Sequence, residues 1–318
     1  MNEREIILGV DTSNYTTSIA LLYDDGELIA NIKRPLPVKS GECGLRQSDA
    51  VFAHVKNIPS AIREMHEHLD GRTPSAIGVS EKPRNVDGSY MPCFLSGVAV
   101  AESISASLDI PIYKFSHQCG HIMAALYSSK SERLMDGRFA AFHISGGTTE
   151  LLLVSGDSDG FCAQQVGGTK DLNAGQVIDR VGVFLGMPFP AGPHIERAAL
   201  EYSGKIPSRK VSVDGTYANL SGLENMARKL YAEENDTNKT AAFVLEYISN
   251  SVIQMCDNLI SEYGEMPIVF AGGVMSNAII RAKLEKKYDA RFAEPMMSAD
   301  NAVGIAELAR LAYAKNKF

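Results

Sequence analysis

Near the start of the chain an apolar run, Ile6-Ile7-Leu8-Gly9-Val10, gives way to Asp11-Thr12-Ser13-Asn14-Tyr15-Thr16-Thr17. A second apolar run follows, Ser18-Ile19-Ala20-Leu21-Leu22-Tyr23, closed by Asp24-Asp25-Gly26. Two short apolar runs around a polar turn predict a β-hairpin. The pattern returns as Phe139-Ala140-Ala141-Phe142-His143-Ile144, Ser145-Gly146-Gly147-Thr148-Thr149 and Glu150-Leu151-Leu152-Leu153-Val154. The 134 residues between Asp11 and Ser145 are too many for a solenoid repeat and suit a duplicated lobe.

Between the hairpins, helical periodicity predicts helices over 48–68, 97–108 and 117–127, with strands at 76–80 and 112–115. After the second hairpin come predicted helices at 173–185, 193–202, 240–263 and 276–287, a strand at 268–271 and a last helix after Asp300. Segments 31–47, 81–92 and 205–221, rich in Gly, Pro and polar residues, are predicted loops. The expectation is a mixed α/β chain of two lobes, 1–114 and 115–318, with the last helix a candidate to pack back on the first.

Composition narrows the class. The 318 residues carry 31 basic and 38 acidic side chains, a net charge of −7, and are 45% hydrophobic and 22% charged. This is a globular balance, away from disordered, collagen-like or disulfide-scaffold chains. The longest apolar stretch, 243–260, is broken by Glu246, Asn250, Gln254 and Asp257, so no membrane span is expected. Without a basic, then apolar, leader pattern at Met1-Asn2-Glu3-Arg4-Glu5, the expected location is cytoplasmic. Cys43, Cys93, Cys119, Cys162 and Cys256 form no CxxC pair and read as free thiols. The negative charge disfavours DNA and favours a small substrate or basic partner, although a local basic patch leaves RNA open.

Three turns have the composition of phosphate cradles: Asp11 to Thr17, Ser145 to Thr149, and Ala271-Gly272-Gly273-Val274-Met275-Ser276-Asn277, where a strand runs through two glycines into a helix. Each alone also serves as an ordinary tight turn. Val166-Gly167-Gly168-Thr169 reads as a glycine turn entering a helix whose Asp179 is an acceptor for ribose hydroxyls; the alternative is a helix with Asp171 as its N-terminal cap and Asp179 solvated. Gly192, before Pro193 in a helix's first turn, would let a ligand approach the backbone. His117-Gln118-Cys119-Gly120-His121 puts two imidazoles at i and i+4, a spacing that lets both reach one metal ion. The alternative is one core and one surface histidine. Gln118 stands where a zinc protease needs a glutamate base, which argues against peptide hydrolysis. Asp300 is the candidate third ligand.

Together these residues resemble the glycoprotease family, whose characterised members synthesise threonylcarbamoyladenosine in tRNA on the ASKHA fold (acetate and sugar kinase, Hsp70, actin). The likeness runs from Gly9-Val10-Asp11-Thr12-Ser13 to Ala299-Asp300-Asn301-Ala302. It implies a two-lobed duplicated α/β fold with an adenylate in the cleft between lobes. One divalent metal, Fe or Zn, would be held by His117, His121 and Asp300. An adenine nucleotide (ATP, AMP or an acyl adenylate) would contact Ile144, Ser145, Gly146, Gly147, Thr148, Asp179, Gly192 and Asn277. Asp11 and Ser145 are the candidate catalytic residues. The implied activity transfers a threonylcarbamoyl or carbamoyl group from an adenylate to tRNA or a related acceptor, with a TsaB-like partner subunit of the same fold. A catalytically weak nucleotide-binding paralogue and an ASKHA phosphotransferase stay open as alternatives.

The chain also departs from the family pattern. The usual Glu-Thr-Ser-Cys-Asp is Asp11-Thr12-Ser13-Asn14-Tyr15, the usual His after Ser-Gly-Gly is Thr148, and two further carboxylates are replaced at Leu172 and Gln176. A Gly-Pro-Gly turn gives way to Glu81-Lys82-Pro83-Arg84-Asn85-Val86-Asp87-Gly88. These departures imply a paralogue with an altered polar lining.

Overall fold

The computed structural model of the chain describes residues 4–13, 15–37, 45–157, 160–297 and 300–317. Asn14 and Cys43 lie outside the described residues. The chain divides into two compact units: Met1–Glu132 with Gly156–Cys162 and Ala299–Phe318, and Arg133–Ser155 with Ala163–Ser298.

Among the described residues, the first unit is built on five strands, β1 (Ile6–Thr12), β2 (Thr16–Tyr23), β3 (Leu28–Pro35), β4 (Ala76–Lys82) and β5 (Ile112–Ser116), in the order β3-β2-β1-β4-β5. Helices α1 (Gln47–Leu69), α2 (Phe94–Leu108) and α3 (His117–Ser128) belong to it, together with a C-terminal helix over Val303–Asn316. Strand β1 is buried along its whole length. One layer of core joins Leu8, Val10, Ile19, Leu21, Ile77 and Val79 to Ala61, Met65 and Leu69 of α1 and Ala101 of α2. The C-terminal helix packs against β1 and β4, where Gly9 and Gly78 leave room for it; a Cβ on Gly9 would stand 2.6 Å from the Ala302 carbonyl.

The second unit carries β6 (Arg138–Ile144), β7 (Thr149–Asp157) and β8 (Gly160–Thr169) apart from their joined ends at 156–162, then α4 (Ala174–Phe184), α5 (Gly192–Leu200), β9 (Val213–Asp214), β10 (Tyr217–Ala218), α6 (Ser221–Glu234), α7 (Thr237–Tyr263), β11 (Ile268–Ala271), α8 (Ala278–Lys287) and β12 (Ala290–Phe292); the C-terminal helix is therefore α9. Its sheet runs β12-β11-β6-β7-β8-β10-β9. The rings of Phe142, Phe270 and Phe292 stack in succession across β6, β11 and β12, at 5.2 and 4.9 Å. The long helix α7 buries residues along most of its length, and Asp236 caps it by accepting the Lys239 N–H at 2.9 Å.

The duplication read from the two hairpins is present in the topology. In each sheet an antiparallel hairpin (β1/β2, β6/β7) is extended on its first strand by two parallel strands, β4 and β5 or β11 and β12.

Several local expectations are corrected. Residues 31–35, predicted as loop, end strand β3, which is the edge of its sheet, so Pro35 interrupts no ladder. The predicted turn Val166–Thr169 is the end of β8. Its glycines serve close backbone packing instead: a Cβ on Gly167 would meet the Thr216 carbonyl at 2.4 Å, and one on Gly168 the Thr149 carbonyl at 2.5 Å. Asp171 does not cap α4. That helix begins after Asn173, whose N–H is accepted by Gln176 Oε1 at 3.1 Å, whereas Asp171 serves the start of α6.

Candidate functional site

In the first unit, Ser116 sets where α3 begins. Its backbone is extended, and its hydroxyl accepts the Cys119 N–H at 3.2 Å, so His117 is the first helical residue and His121 lies one turn on. Asp300 lies just ahead of α9, whose start is held by Asn301 Oδ1 accepting the Val303 N–H at 3.0 Å. Helices α3 and α9 touch through glycine: a Cβ on Gly304 would stand 1.9 Å from the Gly120 carbonyl, and one on Gly120 2.9 Å from Ile305 Cδ1. That contact brings Asp300 to the two imidazoles.

One ligand atom from each of His117, His121 and Asp300 lies within 4.8 Å of the others. The two Nε2 atoms are 2.9 Å apart, and Asp300 Oδ1 is 3.3 Å from His121 Nε2 and 3.7 Å from His117 Nε2. Ligands of a tetrahedral ion at about 2.0–2.1 Å are about 3.3 Å from one another. The three atoms could therefore hold one divalent ion.

Behind His117 stands Asp11, fully buried. Its Oδ1 receives His117 Nδ1 at 3.0 Å and the Ser80 hydroxyl, and its Oδ2 is buried without a hydrogen-bond partner among the described residues. Burial disfavours an imidazolium at His117, but the charge and hydrogen bond of Asp11, joined by Asp300, outweigh it and raise the group to about 9. Burial would likewise raise both carboxyls. The His117 charge and bond and the Ser80 hydroxyl hold Asp11 low, while the His121 bond and both histidines hold Asp300 well below the usual range.

Two hydroxyls of the first predicted phosphate turn, those of Thr12 and Thr17, are used within the unit, while Ser13 Oγ is buried without a hydrogen-bond partner among the described residues. Thr12 Oγ1 donates to the Cys93 carbonyl at 3.1 Å and accepts the Gly97 N–H at 3.0 Å, Thr17 Oγ1 meets His54 Nδ1 at 2.8 Å, and Ser18 Oγ donates to the Asp11 carbonyl at 3.3 Å. This turn fastens α1 and α2 to the sheet. Buried His54 closes the arrangement, its Nε2 lying 2.9 Å from the Ser13 carbonyl.

The second unit brings the other two turns together. Ser145 N–H donates to the Thr148 carbonyl at 2.8 Å, closing the loop after β6. Asn173 Nδ2 donates to the Gly147 carbonyl at 2.9 Å, and Gly175 N–H to the Ser145 carbonyl at 3.3 Å. The glycine turn after β11 lies against the same strand end: Val274 N–H donates to the Ile144 carbonyl at 3.1 Å, and Gly272, with φ of 98°, passes so near that a Cβ would be 2.2 Å from it. Ile144 is buried, Ser145 and Thr148 are half-buried, and Gly146 and Gly147 are exposed. Beyond Gly146, Gly147 and Gly192 an added Cβ would meet nothing within 4 Å.

Asp179 and Gly192 are neighbours through Asp179 Oδ1, which accepts the Ala191 N–H at 2.7 Å. Burial raises the Asp179 carboxyl, and that bond partly offsets the rise. Asp179 also borders a groove of about 520 Å³ lined by Arg180, Val183, Phe184, Phe189, Glu224 and Arg228. Asn277 is buried and caps α8, its Oδ1 accepting the N–H groups of Ile279 and Ile280 at 3.1 and 3.2 Å. The two candidate catalytic residues fall in different units, Asp11 in the first and Ser145 in the second.

Sequence reasoning missed Ser80, Gly120 and Gly304. A serine closing an apolar strand carries no signal of its own. The glycines did carry one, because glycine inside a helix costs about 1 kcal/mol relative to alanine and persists where another backbone approaches.

A family model described as TsaD, tRNA N6-adenosine threonylcarbamoyltransferase, matches residues 39–307. Proteins with that name from Halalkalibacterium halodurans (28% identical, covering 100% of this chain and 94% of the relative) and Thermotoga neapolitana (26%, 98% and 94%) are similar over nearly their whole length. Among solved structures, component A of (R)-2-hydroxyglutaryl-CoA dehydratase from Acidaminococcus fermentans aligns with a TM-score of 0.57 at 14% identity, covering 99% of this chain and 100% of that one. A ROK family glucokinase from Streptomyces griseus aligns with a TM-score of 0.53 at 11% identity, covering 97% and 99%. At such identities the likeness speaks for the fold, which is the ASKHA fold.

Proposed function

The chain belongs to the tRNA N6-adenosine threonylcarbamoyltransferase family, and from that premise we propose that it is a metal-dependent transferase moving a threonylcarbamoyl or carbamoyl group from an adenylate to tRNA or a related acceptor. The observation that carries this reading is the meeting of His117 and His121 of α3 with Asp300, which lies just ahead of α9 and far away in sequence, within 4.8 Å. These residues would hold Fe or Zn, which when bound would supply Lewis acidity toward the adenylate.

The loop Ile144 to Thr148 offers backbone N–H groups and hydroxyls to phosphate oxygens. Gly146, Gly147 and Gly192 leave the backbone open to approach, and the second oxygen of Asp179 would accept from a ribose hydroxyl while the first keeps its bond to Ala191. Asn277, already holding α8, would present its amide nitrogen. In the transfer, the exocyclic amine of the acceptor adenosine forms a bond to the carbamoyl carbon, the bond from that carbon to the phosphate oxygen breaks, AMP leaves, and the amine loses a proton. Ser145 lies in the loop that would meet the phosphate and orients that group. No helix among the described residues is long and apolar enough to cross a membrane. A cytoplasmic enzyme working with a TsaB-like partner subunit fits this reading.

Metal analysis of the purified protein, with mass spectrometry of co-purifying nucleotide, tests the proposal. The expected result is close to one Fe or Zn per chain, lost in a folded His117→Ala/His121→Ala variant. Unchanged metal content in that variant would sink the metal reading.

A further inference from the structure

We infer that Asp11, anchored by Ser80, is a positioning residue that selects which nitrogen of His117 faces the metal position. This rests on the metal reading above and deepens it. A carboxylate can only accept hydrogen bonds at neutral pH, so the 3.0 Å contact between Asp11 Oδ1 and His117 Nδ1 requires Nδ1 to carry its proton. With Nδ1 protonated, the lone pair a metal needs is left at Nε2, the atom that faces His121 Nε2 and Asp300 Oδ1. A histidine that donates its second N–H to a carboxylate has a fixed ring orientation and a more basic ligand nitrogen.

The carboxylate is itself held. Ser80, buried near the end of β4, donates its hydroxyl to the same Oδ1. Asp11 lies near the end of β1, which pairs parallel with β4. The sheet thus sets the carboxylate, the carboxylate sets the ring, and the N-capped start of α3 sets the helix that carries it. Asp11 contacts no ligand atom in this arrangement and acts through His117, which changes its role from catalytic candidate to support.

The test is a competition titration of the full-length protein with a chromophoric chelator, using Zn²⁺ and then Co²⁺, on the parent and on Asp11→Ala, Asp11→Asn and Ser80→Ala. Asp11→Ala should weaken metal binding about 10–100-fold and change the Co²⁺ absorption bands. Asp11→Asn, which keeps the volume but removes the charge, should lie between it and the parent, and Ser80→Ala nearer the parent. Long-range proton–nitrogen correlation spectra of the Zn²⁺ form should show His117 protonated at Nδ1 in the parent and disturbed in Asp11→Ala. If Asp11→Ala does not fold, Asp11→Asn decides: affinity and tautomer equal to the parent overturn the inference while leaving the metal site standing. A parent that takes up neither metal overturns the metal reading and this inference with it.

Discussion

Asp171 and Gln176 stand in the stretch where the resemblance pointed to lost carboxylates, and both have structural work. Asp171 Oδ1 accepts the Leu220 N–H at 2.7 Å, and Oδ2 accepts the Ser221 N–H at 3.1 Å and its hydroxyl at 2.6 Å, so one carboxylate covers the N-terminus of α6. Burial opposes the charge, but these bonds and the one from Leu172 hold the carboxyl at about 2. An unfolded aspartate titrates near about 3.9. The folded value being the lower, the stabilisation is complete above about pH 4 and disappears as pH falls through about 2. Asp171→Ala should cost about 0.5–2 kcal/mol at neutral pH, the range for a lost cap. Urea denaturation from pH 7 to pH 2 should show the gap to the parent closing in acid; a gap independent of pH would count against the capping role.

Thiol reactivity offers a second check at single positions. Cys93, Cys119 and Cys256 are buried and Cys162 is exposed. Burial pushes the Cys93 thiol up to about 11 and raises those of Cys119 and Cys256 as well. Because the thiolate is the reactive form, native protein treated with iodoacetamide at pH 8 should be modified at Cys162 well before these three. Peptide mass spectrometry reading equal rates would contradict the burial.

Between elements, contacts made by glycine matter most for the candidate site. The approach of α3 and α9 at Gly120 and Gly304 leaves no room for a methyl group. Gly304→Ala should therefore destabilise the protein by about 1–3 kcal/mol through overpacking and, by moving α9 away from α3, weaken metal binding at Asp300. Gly146→Ala is the contrasting case, since its Cβ would point into open space. It should change stability by no more than about 0.5 kcal/mol yet weaken adenine-nucleotide binding if the loop cradles phosphate. Thermal melts beside calorimetry with AMP separate the two. A Gly304→Ala protein as stable as the parent would show that the helices tolerate separation, and Gly146→Ala binding AMP normally would remove the loop from the nucleotide site.

For the whole molecule, charge bears on the acceptor. A net −7 must be overcome by any phosphate-rich partner, and the basic residues occur in short runs such as Lys33-Arg34 and Lys286-Lys287. Several are paired: Arg34 with Glu64, and Lys287 with Asp257 at 2.6 Å. The protein alone is expected to modify tRNA slowly. An assay with purified protein, threonylcarbamoyl adenylate and unmodified tRNA checks this, and rapid multiple turnover without added partners would show that neither the charge nor the altered lining limits the reaction.

What the sequence determined by itself is whatever a few neighbouring residues decide. Alternating apolar and polar runs placed both hairpins and hence the duplication, and 3.6-residue periodicity placed α1, α3 and α7 to within a few residues. The i, i+4 spacing put His117 and His121 on one helical face. Such signals are local because a helical turn or a hairpin closes over a handful of residues. The edge strands β3 and β12 and the helix α6 lacked that clarity, because short or half-exposed elements take their pairing from neighbours. Only the tertiary structure decided that Asp11 meets His117 across 106 residues, that Asp171 caps a helix 50 residues on, and that the Thr12 and Thr17 hydroxyls fasten helices. Those partners are chosen by how sheet and helices pack, since a buried polar group must find a partner wherever the folded chain brings one, and spacing along the sequence carries no record of that choice.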